Sequence, residues 1–179
     1  MFSAALNLFL LRKLAFERFA FPRYLSVLVI TFYGGIFGFD LIWEHSGIEI
    51  LPLLGGFTLY VAIFWGFYVL LLAMLEWSMK QDPHWDGQGE LFNLVVSASI
   101  VPNTLFFGLT IIEADLLIHC LLGFYSLGVL ANELSGAIPK ASLAYSMVSI
   151  VMSMFISFSL SAGLLISTLL VMGFPIPLK

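Results

Sequence analysis

From Ala141 to Met172 the chain carries no charged residue. A hydrocarbon layer of about 30 Å is crossed by about 20 helical residues, so this run is long enough with several to spare. Within it, Ser142, Ser146, Ser149, Ser153 and Ser157 recur at steps of three or four. That spacing places them on one side of a helix, and Gly163 and Ser167 return to about the same side. A row of small residues lets a second helix approach closely, which is how spans choose neighbours in lipid, where hydrophobicity gives no preference. The run therefore reads as the central span of a helical membrane protein.

Composition agrees. Hydrophobic residues make up 61% of the sequence and charged residues only 10%, with a mean hydropathy of +1.06. A soluble domain carries about 25% charged residues. The length of 179 residues accommodates one bundle and no separate soluble domain. The single cysteine, Cys120, excludes an intramolecular disulfide and a cysteine-cluster metal site. A net charge of −4 offers no basic surface, so nucleic acid is not an expected partner.

Residues 1–23 are apolar at first and then basic, with Arg12, Lys13, Arg18 and Arg23. The cations follow the apolar stretch instead of preceding it, so an interfacial amphipathic helix on the cytoplasmic side is expected here rather than a secretory signal. Pro22 is expected to end it. Five transmembrane helices follow, at about 24–43, 51–75, 91–112, 116–134 and 141–172, with a short tail over 173–179. The fold class is thus all-α, a polytopic integral membrane helical bundle. Gly34 and Gly38 form a small-residue pair on the first span, and Gly55 and Gly66 share a face of the second with Ala62 and Ala73. These glycines and the serine row are the expected helix-packing residues.

The third span places Pro102 and Asn103 at mid-depth, beside a stripe of Asn93, Ser97, Thr104 and Gly108. A proline has no N–H for the carbonyl one turn back and bends the helix; in lipid that carbonyl needs a partner from a neighbour or from water. His119 lies on the fourth span one turn from Asp115, and Asn132 and Glu133 lie at its far end. Pro102, Asn103, His119, Asn132 and Glu133 make up the candidate polar intramembrane site. The plain reading of His119 is an interfacial side chain bonded to a carbonyl or water; the functional one is a proton relay or metal ligand. The plain reading of Glu133 is a carboxylate snorkelling to the headgroups; the functional one pairs it with the backbone near Pro102 or with the serines.

Asp82, His84 and Asp86 alternate in the longest polar segment and are the weak candidates for a metal site, against the plainer reading of a solvated acidic loop. No nucleophile–base pair, glycine-rich phosphate loop or His-Glu-x-x-His run occurs, and the expectation is a protein that is not an enzyme and holds no cofactor. Five spans put Arg12, Lys13, Arg18, Arg23, Lys80 and Lys140 on one side and only Lys179 on the other. The positive-inside rule then places the N-terminus in the cytoplasm and the C-terminus outside, in what reads as a bacterial inner (plasma) membrane.

From Glu90 to Val171 the chain resembles the Yip-domain family of five-span membrane proteins. The matching features are the proline-bearing stretch Leu94-Val-Val-Ser-Ala-Ser-Ile-Val-Pro102 and the run Gly123-Phe-Tyr-Ser-Leu-Gly128-Val-Leu. A glycine-bearing basic turn over 132–140 then leads into a final small-residue span. The resemblance implies a five-span protein with a cytoplasmic N-terminus. It points to the short prokaryotic-type members, for which no activity is implied; eukaryotic members act as scaffolds or adaptors in vesicle traffic. The expected role is a non-catalytic structural, accessory or scaffold subunit that contacts membrane lipids and packs against another membrane protein or a second copy of itself. The alternatives are a channel or carrier for a small solute or ion, and a membrane subunit holding a metal or cofactor.

Overall fold

The computed structural model describes residues 1–46, 50–81, 90–137 and 142–171, with the backbone alone over 38–46, 50–56, 59–60, 158, 161 and 164–171. The described residues form α-helices α1 (Phe2–Phe9), α2 (Arg23–Ser46), α3 (Ile50–Lys80), α4 (Leu91–Ile111), α5 (Leu116–Ala137) and α6 (Leu143–Val171), with a 3-10 turn over Phe16–Phe19 before α2. The protein is all-helical, as expected. Asp82, His84, Asp86, the turn over 138–140 and the tail lie outside the described residues.

Among the described residues three helices are long and apolar enough to cross a membrane, fewer than the five expected: Val61–Lys80 of α3, Leu91–Ile111 and Leu116–Ala137. Two further apolar stretches, Arg23–Phe37 of α2 and Leu143–Ser157 of α6, are shorter over the residues whose side chains are described. The helix α3 runs past the expected end of its span to Lys80, and there Glu76 and Lys80 pair across one turn at 3.8 Å.

The N-terminal helix is shorter than the 1–23 segment expected. It closes at Leu11, which adopts φ 56°. The Leu11 N–H donates to the Leu8 carbonyl at 2.8 Å and the Arg12 N–H to the Asn7 carbonyl at 3.0 Å, a Schellman closure built without glycine. Pro22 opens the next helix rather than ending this one: it directly precedes α2, where its fixed φ suits a first turn. The helix α4 closes in the same way as α1, around Glu113 at φ 51°, with Ala114 N–H to Leu109 carbonyl at 2.9 Å.

The five long helices form a closed ring. The helix α2 packs on α3 and α4, α3 on α6, α6 on α5, and α5 back on α4, while α1 lies across α4 and α5. The first half of α4 is the buried centre, with Leu91, Asn93, Leu94, Val95, Val96, Ser97 and Ala98 all enclosed. The helices α2 and α3 meet most closely at Gly34 and Gly35. A Cβ on Gly34 would come within 3.2 Å of the Val61 backbone, and one on Gly35 within 2.7 Å of the Phe57 ring.

The exterior is unusually apolar, and several polar side chains are enclosed beside the apolar core. Ser26, Asn93, Ser97, Glu133, Ser146, Ser149, Ser153 and Ser157 are buried, whereas Leu116 is 76% exposed, Phe124 73% and Phe155 70%. Water would penalise that surface heavily, whereas hydrocarbon solvates it. The serines face inward because a hydroxyl can bond within the protein but finds no partner in acyl chains.

Candidate functional site

Between α3, α4, α5 and α6 lies an open-sided cavity of about 500 Å³. Its wall includes Tyr68, Ser99, Pro102, Asn103, Cys120 and Gly123, and none of its lining residues is charged. Of the sequence-predicted polar site, Pro102 and Asn103 line this chamber; His119, Asn132 and Glu133 do not.

A directed chain of hydrogen bonds crosses the cavity wall. The Ser99 hydroxyl donates to the Val96 carbonyl at 2.8 Å, so it must accept from Tyr68, whose hydroxyl lies at 2.7 Å. Tyr68 has then spent its proton and accepts from the Asn103 amide nitrogen at 3.2 Å. This sequence of donors fixes which way the Asn103 amide faces. Its carbonyl oxygen and its second N–H make no other bond among the described residues. Tyr68 and Ser99 were not singled out from sequence, and no local spacing could have found them: Tyr68 and its partners lie 31 and 35 positions apart.

A second polar region ties one end of the ring. The Ser26 hydroxyl donates to Asn93 Oδ1 at 2.7 Å, and Asn93 Nδ2 donates to the Phe19 carbonyl at 2.8 Å and the Phe21 carbonyl at 2.7 Å. Every polar atom of the buried amide is thereby used. Arg23 and Glu90 pair in a two-pronged contact, with Nε to Oε2 at 2.8 Å. The adjacent carboxylate holds the Arg23 guanidinium above its ordinary range, chiefly through that hydrogen bond. Across the ring, the Ser78 hydroxyl donates to Ser149 at 2.8 Å, and the Tyr145 hydroxyl donates to the Ser78 carbonyl.

The serine row divides. Ser146, Ser149, Ser153 and Ser157 are buried. Ser142 precedes α6 and is exposed; its hydroxyl accepts from the Tyr145 N–H at 3.1 Å, so it caps the helix. Gly34 lies at the α2–α3 crossing, while a Cβ on Gly66 would meet open space. Gly38 and Gly55 fall in stretches of described backbone only.

Glu133 does not snorkel. It is 0% exposed, and neither carboxylate oxygen has a hydrogen-bond partner among the described residues. The cause is the segment after α1, which folds over the end of α5. There Tyr125 donates to the Phe9 carbonyl at 2.6 Å, Asn132 to the Leu11 carbonyl at 3.1 Å, and the Lys13 side chain lies against Gly136. The Lys13 charge and the Leu14 backbone N–H both act on the carboxylate, without an ion pair or a hydrogen bond of ordinary geometry among the described residues. The alternative pairing of Glu133 with the backbone near Pro102 or with the serines does not occur among the described residues.

His119 stacks on Phe106, with ring centroids 6.1 Å apart, and its Nδ1 lies 3.2 Å from the Asp115 backbone carbonyl. The Asp115 carboxylate instead accepts the Leu117 N–H at 2.7 Å and caps α5. Among the described residues no group of three metal-ligating side chains converges. No family model, curated protein or solved structure matches this chain.

Proposed function

We propose that this chain is a non-catalytic five-span membrane protein, with an N-terminal helix at the membrane surface, acting as an accessory or scaffold subunit. The single observation that supports it best is the distribution of polarity: a broadly apolar exterior, with serines, an asparagine and a glutamate enclosed beside the apolar core. The helices α2 and α6 supply the first and fifth spans, their helical backbones continuing past Phe37 and Ser157 to Ser46 and Val171. The layout is that of the short prokaryotic-type Yip-domain proteins, with the N-terminus cytoplasmic and the C-terminus outside, in a bacterial inner membrane. The buried serines of α6 serve packing inside the bundle, so the surface left for a membrane partner or a second copy is the outer apolar face, including Phe124 and Phe155. Purification from native membranes in mild detergent tests the role. A co-purifying membrane protein or a homo-oligomer is expected, and a strictly monomeric particle alone would overturn it.

The cavity beside Pro102 and Asn103 favours one second reading, a carrier for a small solute. Proteoliposome flux above empty vesicles, lost in Asn103→Leu, would support it; no flux would remove it.

A further inference from the structure

We propose that the chamber between α3, α4, α5 and α6 binds a neutral long-chain alcohol, its hydroxyl held by Asn103 and its chain lying along the apolar wall. The volume of about 500 Å³ lies within the range of small-molecule sites. A void that size lined by Leu71, Val95, Leu127 and Met154 leaves those side chains without contacts on one face, and an apolar chain supplies them.

The head group follows from the direction of the hydrogen-bond chain. Asn103 presents one acceptor, Oδ1, and one remaining N–H. A hydroxyl satisfies both, donating to Oδ1 and accepting from Nδ2. An ether or a carbonyl could use only the N–H. Pro102 adds to the polarity of the same wall, having no N–H to give the carbonyl of Ala98, which also lines the chamber. A phosphate or ammonium head would enter without a counter-charge, because no charged residue lines the space, and burying an unpaired charge is strongly unfavourable. Access is lateral: Cys120 and Phe124 line the chamber and are exposed on the outer face of α5.

The test uses the full chain in phosphatidylcholine nanodiscs and a diazirine-bearing hexadecanol. Its methyl ether and an alkyltrimethylammonium of equal chain length serve as comparison probes. Saturable photolabelling by the alcohol is expected within α4 or α5, together with slower maleimide modification of Cys120, the one cysteine of the sequence. Labelling by the alcohol should exceed that by the ether about fivefold, the ratio one neutral hydrogen bond supports. Asn103→Leu should erase that ratio while leaving apolar labelling in place. Gly123→Leu should block the chamber, because a Cβ there meets only Phe106 at 3.8 Å and the longer side chain fills the space. Gly128→Leu, at a position where a Cβ meets open space, should label as wild type. Equal labelling by all three probes, or undiminished labelling of Gly123→Leu, would overturn the proposal. The site needs the chain in a bilayer but no protein partner, so a monomer that binds the alcohol would overturn the accessory role and leave the site standing.

Discussion

Ser26 and Asn93, joined by a hydrogen bond between their side chains, stand 67 positions apart, and so do Arg23 and Glu90, and Tyr33 and Ile100. A constant offset means that α2 and α4 run parallel and in register. The helix between them runs the other way: Thr31 meets Trp65, Gly34 meets Val61, and Gly35 meets Phe57, the partner falling as the position rises. Two parallel helices joined through one antiparallel helix begin at the same end of the bundle.

The Asn93 amide is the centre of that register, and its removal should be costly. Asn93→Leu strands the Ser26 hydroxyl and the carbonyls of Phe19 and Phe21. Each buried polar group left unpaired costs about 1–3 kcal/mol, so a loss of about 3 kcal/mol is expected for the variant. Arg23→Gln breaks the neighbouring ion pair, whose side chains are 70% and 35% exposed, and should cost much less than Asn93→Leu, because solvent screens an exposed pair. Denaturant or SDS titration of both variants in one detergent checks the contrast; equal losses would contradict it.

Gly34 is expected to tolerate no side chain. A Cβ there approaches the Val61 backbone at 3.2 Å and Phe64 Cβ at 3.1 Å, and backbone yields less readily than a side-chain tip. Gly34→Val should force α2 from α3 and cost about 2 kcal/mol, in the range of overpacked cores. Gly66→Val, with open space around it, should change stability by less than about 0.5 kcal/mol. Thermal unfolding in detergent measures both.

These residues show what was legible in the chain before its structure. Charge-free runs bounded by polar turns marked the long helices, because the membrane length requirement acts locally on sequence. The serine periodicity of α6 marked an inward face for the same reason. Ser142 was assigned to that face by spacing alone, yet the helix starts one residue later and the serine serves as its cap. Gly34 and Gly66 look alike in sequence, and only the α2–α3 crossing distinguishes them. Asn93 appeared as one member of a polar stripe, but its partners lie 67 to 74 positions away, beyond any local pattern. The burial of Glu133 is not legible along α5 alone, because the N-terminal segment that folds over it, joined through Asn132 and Leu11, lies 121 positions away.

Leu11 and Glu113 both adopt the left-handed backbone conformation at helix ends, at φ 56° and 51°. A Cβ in that conformation costs about 1–2 kcal/mol relative to glycine, partly offset by the greater freedom glycine gives the unfolded chain. Glu113 is exposed and its Schellman closure uses only backbone groups. Glu113→Gly should therefore stabilise the protein by about 0.5–1 kcal/mol, seen as a higher thermal midpoint in detergent. A lower midpoint would show that the side chain contributes more than its conformation costs.

Glu133 should prove to be a destabilising residue held for a reason other than packing. Its carboxyl group is fully buried with neither oxygen hydrogen-bonded among the described residues. Replacing a poorly satisfied buried ionisable group by an apolar side chain of similar volume is often stabilising by about 1–4 kcal/mol. Glu133→Leu should raise the unfolding midpoint. It should also loosen the segment after α1, because the carboxyl group on which the Lys13 charge acts is removed. Limited trypsin digestion reads that second effect directly: cleavage at Arg12 or Lys13 should be faster in Glu133→Leu than in wild type, even as the bundle itself becomes harder to unfold. A variant that is less stable and no more readily cut would show that Glu133 is satisfied in the folded protein by a partner outside the described residues.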